Sequence, residues 1–213
     1  MAKFQKTVSV LMLLSGIFVL SGCIGISDGQ ETTDDFATDG LDSAIFAGGC
    51  FWCVDKHFEK VDGVTEAITG YVGGSGVHQK HEQWKIAGYR EVAQVWYDPS
   101  VVTYRQLADY HLRHIDPLNA NGQFCDEGNS YFGALYFSTE DEKAAALAAI
   151  DAASQELGAD VVTLVEPAQR FYAAVPHHQD YYKKYSLKYN FTVSRCGREE
   201  RLREVWGDAY SGG

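Results

Sequence analysis

Apolar and polar positions divide the chain into three stretches. Val8–Leu20, "VSVLMLLSGIFVL", is apolar but for two serines and a glycine, and Lys3 and Lys6 precede it. Residues 24–41, "IGISDGQETTDDFATDGL", are mostly Gly, Asp, Thr and Ser. Secondary-structure periods begin only after that. Ser43–Gly49 reads as a short buried strand ending in glycines, and Cys53, Val54, His57, Phe58 and Val61 repeat at helical spacing, predicting a helix over Cys50–Val61. Val64–Tyr71 and Glu91–Tyr97 read as strands, the second alternating well enough to bury one face. Thr103 and Gln106 form a capping box that opens a helix through Leu112, with Asp116-Pro117 beyond its end. Tyr131–Phe137 is a further strand. Ser138 or Thr139, with Asp141 or Glu142, then caps an alanine-rich helix that stops near Gly158, and Val161–Val165 is a last strand. The tail from Gln179 has no clean period and is expected to be irregular. Helices and strands without strict βαβ repetition predict an α+β domain, a two-layer mixed sheet with helices.

The first stretch has the features of a secretory signal over residues 1–22: a charged start, a short apolar run and small residues before Cys23. Leu20-Ser-Gly-Cys23 resembles the bacterial lipobox, which implies that Cys23 carries the lipid of the mature chain. Residues 23–41 cannot bury enough surface to offset chain entropy and read as a flexible tether. Residues 42–213 suit one domain. Ile24 after the lipid cysteine, where Asp is the alternative, leans towards the outer membrane, periplasmic side. The net charge of −11 becomes two units more negative once Lys3 and Lys6 are removed, which argues against a nucleic-acid partner or an anionic membrane surface. Contact with the membrane is expected through the anchor alone, and a monomer is the default state.

Four cysteines remain: Cys50, Cys53, Cys125 and Cys196. Cys50 and Cys53 lie in "GGCFWCVD", which has three readings. Half a zinc site is disfavoured, because no second Cys-x-x-Cys completes four ligands. A dithiol–disulfide pair is the serious competitor, with Cys50 at a helix N-terminus where thiolate is stabilised. In the third reading Cys50 works alone and Cys53 is a small buried hydrophobe. Phe51 and Trp52 beside a thiolate would then wall a pocket suited to a methyl or thioether group. From these residues alone the choice stays open.

Gly49-Cys50-Phe51-Trp52 resembles the signature of the A-type peptide methionine sulfoxide reductases. The resemblance continues through "VDGVTEAITGYVGG" (61–74), "EVAQVWYDPSVVTYRQLADYH" (91–111), "IDPLNANGQFCDEGNSYFGALYF" (115–137) and "HHQDYYKK" (177–184), covering about 43–208 in order. It implies that family's fold, with a ferredoxin-like core, and makes 42–213 a catalytic domain. By the resemblance Cys50 is the nucleophile, Phe51 and Trp52 hold the substrate's methyl group, and Glu91 protonates the sulfoxide oxygen. Asp126 and Tyr131 bind around that oxygen, His81 stands where the family has a tyrosine, and His178 supports. The product on Cys50 is a sulfenic acid, which a second thiol condenses to a disulfide. Cys196, in a Cys-Gly-Arg ending like that of one branch, is the expected resolving cysteine. A Cys50–Cys53 disulfide is expected to be strained at a helix start. The implied partners are proteins or peptides containing methionine-S-sulfoxide and a thioredoxin-like reductant, with no cofactor and no metal. Tyr89 and Phe132 also depart from the family pattern, where histidine and arginine are usual. Two other readings stand beside this one: a Cys50/Cys53 dithiol oxidoreductase, and an anchored binding domain whose catalysis has decayed.

Overall fold

The structure is a computed structural model that describes residues 40–74, 88–207 and 210. The leader, the tether, Cys23 and His81 lie outside the described residues. The elements are β1 (Asp42–Ala47), α1 (Phe51–Phe58), β2 (Val64–Gly73), β3 (Tyr89–Tyr97), α2 (Tyr104–Arg113), β4 (Gly122–Gln123), β5 (Asp126–Glu127) and β6 (Ala134–Phe137). They continue with α3 (Glu140–Leu157), β7 (Leu164–Pro167), β8 (Tyr172–Ala173), α4 (Tyr181–Lys184), α5 (Ser186–Arg195) and α6 (Arg198–Trp206).

One sheet runs β7-β6-β1-β3-β2-β8, and β4-β5 form a separate small hairpin. Among the described residues, the β6–β7 pair is the one parallel pairing in this sheet. The four central strands, β6-β1-β3-β2, are laid down in the chain order β1-α1-β2-β3-α2-β6. That is the split βαβ arrangement of a ferredoxin-like core, as expected. Successive residues of β1 point to opposite faces. Phe46 joins the main core with Val54, Phe58, Leu107, Leu112 and Leu135, while Ile45 and Ala47 pack with Val72, Val92 and Tyr136 on the other face. Burial on both faces explains why β1 reads as an unbroken apolar run.

Both predicted capping boxes are present, Thr103 with Gln106 and Thr139 with Glu142. The alanine-rich helix ends at Gly158 in the left-handed conformation, which glycine adopts without steric penalty. Other boundaries moved. Asn129–Tyr131 is a 3-10 turn, so the strand expected from Tyr131 starts at Ala134. The last predicted strand shifts to Leu164–Pro167, and β8 was not foreseen. The tail, expected to be irregular, holds three short helices. None of them has a side-chain cap, and their apolar residues face different neighbours: Tyr189 packs beside Cys53, whereas Leu202 and Trp206 join the main core. Such divided burial leaves no single apolar stripe to read.

Helix α1 also buries a charge-bearing group. Asp55 is 0% exposed, and its pKa is pushed up to about 8 by burial, then by the neighbouring Glu59 and Asp180 carboxylates. An unfolded aspartate ionises near 4. The folded protein therefore resists this ionisation, so Asp55 opposes folding increasingly as pH rises from about 4 to about 8. Asp55→Asn is expected to gain stability over the parent at pH 8 relative to pH 5, on the order of 3 kcal/mol. Urea unfolding at the two pH values measures this, and an equal difference at both would refute it.

Candidate active site

The site is built where β1 runs into α1. Gly48 and Gly49 make the turn possible. A Cβ on Gly48 would lie 2.5 Å from the Ile115 side chain, and one on Gly49, at φ +80°, would lie 2.6 Å from Gln123. Cys50 follows as the N-cap of α1, with ψ 120°, outside the helix proper. The predicted helix start therefore moves one residue, and that residue is the one that matters. From the N-cap, the side chains of Cys50 and Cys53 reach hydrogen-bond contact. The strain expected of a Cys50–Cys53 disulfide assumed a regular helix at both residues, whereas Cys50, at the N-cap, is not constrained to helical geometry.

The two thiols titrate as a unit. Cys53 is pushed down to about 6, first by the hydrogen bond from Cys50, against burial, then by Arg198 and the Tyr189 hydroxyl. The same bond, with burial and the nearby Glu91 and Asp126 carboxylates, pushes Cys50 up. One proton leaves the pair readily and the other is held.

Strand β3 delivers Glu91, only 3% exposed, to the start of α1. There the Phe51 backbone N–H donates to Glu91 Oε2 at 3.2 Å. Tyr131, from the 3-10 turn, is hydrogen-bonded to Glu91 and keeps its proton, held up by burial and by the neighbouring Glu91, Asp126 and Cys50. Asp126 lies on β5 and lines the same cavity, of about 130 Å³, as Cys50, Phe51, Trp52, Glu91 and Tyr131.

The aromatic wall is braced from behind. Trp52 stacks on Tyr181 at 3.7 Å and 7°, and its Nε1–H donates to His178 Nδ1 at 3.2 Å. Gln179 fixes that histidine's segment to β2: its Oε1 accepts from the Thr69 N–H and hydroxyl, and its Nε2 donates to the Thr69 and Ala174 carbonyls. Phe51 is buried between Tyr71 and His178, each ring 5.4 Å away. Tyr89, one of the departures, is buried in the same aromatic cluster.

The described residues thus bring together Cys50, Phe51, Trp52, Glu91, Asp126 and Tyr131. Cys196 also lines the cavity, but as half of a disulfide with Cys125, 71 residues away, Cα–Cα 5.0 Å. The free thiol in contact with Cys50 is Cys53. The sequence reading missed two groups. Tyr189 donates its hydroxyl to Cys53 Sγ at 3.5 Å, and Arg198 lines the cavity with its guanidinium 4.4 Å over the Phe124 ring while donating to the His114 carbonyl. Both come from the tail, where no motif marks them.

The arrangement joins a thiol pair at a helix N-terminus to a buried carboxylic acid and a phenol, under an aromatic wall. The peptide methionine sulfoxide reductase family matches residues 42–210. Peptide methionine sulfoxide reductase MsrA 2 of Rhizobium meliloti (strain 1021) is 42% identical over 170 residues, covering 79% of this chain and 86% of its own. The chain belongs to the A-type peptide methionine sulfoxide reductases. A second relative, MsrA of Streptococcus pyogenes serotype M5 (strain Manfredo), is 36% identical over 170 residues, 78% of the enzyme described here and 99% of its own length. Mxr1 of Saccharomyces cerevisiae in its reduced form superposes with TM-score 0.65 at 26% identity, covering 70% of the enzyme and 87% of Mxr1. Methionine sulfoxide reductase A of Corynebacterium diphtheriae gives TM-score 0.66 at 24% identity, with 71% and 78% covered, which supports the fold.

Proposed function

We propose that this enzyme reduces the S epimer of methionine sulfoxide, in proteins and as the free amino acid. The observation that carries the reading is Cys50 at the N-cap of α1 with Glu91 held against the next backbone N–H and Tyr131 bonded to that carboxyl. The substrate's methyl group packs on Phe51 and Trp52, and its oxygen points towards Glu91, Tyr131 and Asp126. Sulfoxide oxygen leaves poorly until it is protonated, and a carboxylic acid buried among aromatics is suited to remain neutral and donate. Cys50 becomes the attacking thiolate by passing its proton across the hydrogen bond to Cys53. Cys50 thiolate then attacks the sulfoxide sulfur as the proton arrives from Glu91 at the oxygen; the S–O bond of the substrate breaks, the hydroxyl passes to Cys50 sulfur, and the thioether departs. Cys50 is left as sulfenic acid.

The Cys53 thiol condenses with that sulfenic acid, forming the Cys50–Cys53 disulfide and releasing water. The contact between the two sulfurs favours Cys53 for this step over Cys196, the earlier expectation, whose sulfur is bonded to Cys125. A thioredoxin-like dithiol restores the thiols; the yeast neighbour Mxr1 is known in complex with Trx2. The signal, the lipid cysteine Cys23 and the tether would hold the catalytic domain at the cell envelope, on the periplasmic face of the outer membrane. Its clients there would be oxidised envelope proteins.

The experiment uses the whole protein in detergent, with dithiothreitol as reductant and the S and R epimers of a methionine sulfoxide peptide supplied separately. Consumption of S alone is expected. Consumption of R at a similar rate, or of neither, would overturn the assignment.

A further inference from the structure

Helix α5 has two unlike faces. Tyr189 and Val193, with Cys196 at its C-cap, line the cavity that holds Cys50 and Cys53. At roughly 100° per residue, Leu187 and Phe191 fall on the opposite side of the helix. There Leu187 is 87% exposed and Phe191 63% exposed. The chemical step uses neither. Side chains four apart on a helix are neighbours, so the two form one apolar pair that another surface can cover.

Charge sets this face apart from the rest of the molecule. The chain carries a net charge of −11, yet residues 181–195, "YYKKYSLKYNFTVSR", hold four basic residues and no acid. Lys183 is paired with Glu59 and Asp180, and Lys184 Nζ lies 3.5 Å from Asp180 while its side chain stays exposed. Lys188 and Arg195 are exposed on one flank of the apolar pair, and the Arg195 guanidinium lies 5.5 Å over the Phe191 ring. Asn190 and Ser194, exposed and uncharged, form the other flank. Acids return at Glu199 and Glu200, in α6, after Gly197 has turned the chain.

We propose that this face of α5 lies on an anionic phospholipid surface, with Leu187 and Phe191 in the interface and Lys184, Lys188 and Arg195 among the headgroup phosphates. Contact with the membrane, expected through the anchor alone, then has a second element. The unfavourable net charge belongs to the whole surface, whereas a cation acts on lipid within about a Debye length, roughly 8–10 Å. Long basic side chains place their charge in the headgroups while their stems lie beside the buried apolar residues. No described helix is long and apolar enough to cross a bilayer, so the contact is in the plane of the interface. Two apolar side chains and three cations bind weakly by themselves, and a lipid on Cys23 would raise their concentration at the surface. Charge favours lipid over a second copy of the chain, which would set this basic face against itself. A client polypeptide held there would be separated from Cys50 by α5. The proposal rests on the envelope location proposed above and not on the chemistry.

Amide hydrogen exchange on the whole protein tests this. The chain is placed with excess vesicles of phosphatidylethanolamine and phosphatidylglycerol, or of phosphatidylethanolamine and phosphatidylcholine, which differ in charge. Exchange in peptides covering 186–195 is expected to slow by about tenfold on the anionic vesicles relative to the zwitterionic ones. High salt is expected to remove the difference. The Leu187→Ser/Phe191→Ser variant is expected to lose the slowing, while its dithiothreitol-driven reduction of the S epimer in detergent matches the parent, since neither side chain lines the cavity. Equal exchange on the two kinds of vesicle overturns the proposal, as does slowing that the double variant retains. Slowing that grows with protein concentration and needs no anionic lipid assigns the face to a second copy and also overturns it. With vesicles in excess, the comparison reads the face whether or not Cys23 carries lipid. A parent chain that fails the S-epimer assay yet shows lipid-dependent slowing would strike the proposed function and leave the docking face standing.

Discussion

Serine in place of Cys50 is expected to abolish methionine formation while leaving the domain folded and its aromatic wall intact. Cys50 stands at the N-cap, where its side chain, unlike that of Cys53, is not confined by the first turn of α1. It also stands next to Phe51, whose N–H is bonded to Glu91, so the proposed nucleophile and the proposed acid share the start of one helix. Serine keeps the volume and can keep a hydrogen bond to Cys53, but its hydroxyl supplies no thiolate at neutral pH and forms no sulfenic acid. Loss of a nucleophile of this kind lowers kcat by roughly 10⁶. Chromatographic detection of methionine reads the loss, and a control titration of the sulfoxide peptide through Trp52 fluorescence shows that binding survives. Cys53→Ser in the same series affects both steps: the first methionine is still released, more slowly because serine does not take the Cys50 proton, and regeneration slows further. Full residual turnover in Cys50→Ser would transfer the nucleophile's role to Cys53 and sink the assignment.

Glu91→Gln is expected to slow the chemical step by about 10² to 10⁴-fold, the usual range for a positioned acid. The glutamine carbonyl can accept the Phe51 N–H as the carboxylate oxygen does, so the start of α1 stays in place. It cannot hand a proton to the leaving oxygen. Rapid-quench measurement of the first methionine, before any disulfide is re-reduced, isolates this step from regeneration. A first-turnover rate within about threefold of the parent would show that the proton comes from elsewhere, Tyr131 being the next candidate.

Much of this site was legible in the chain. The strand–Gly–Gly–Cys–helix order placed Cys50 at a helix N-terminus because glycine turns and helical spacing are local properties. The capping boxes at Thr103 and Thr139 are likewise settled within four residues. The family resemblance supplied Glu91, Asp126 and Tyr131, which the residues alone would have left as ordinary polar positions. The contact between the Cys50 and Cys53 thiols was not legible, because a one-residue difference in the helix start decides whether Cys50 can turn towards Cys53. Three-residue spacing cannot tell an N-cap from a first helical residue.

The sequence by itself determined the local pieces: the apolar runs that become β1 and β3, the helix caps, the glycines at the turn into α1, and the kinds of side chain available for chemistry. Tertiary structure decided which distant side chains meet. It brought Tyr189 and Arg198 from the tail to the thiol pair, set Gln179 and His178 behind Trp52, and joined Cys125 to Cys196 across 71 residues. The physical reason is range. Turns, caps and periodic faces are fixed by neighbours within a few residues, whereas these contacts exist only once the sheet, its helices and the short tail helices have closed around one cavity.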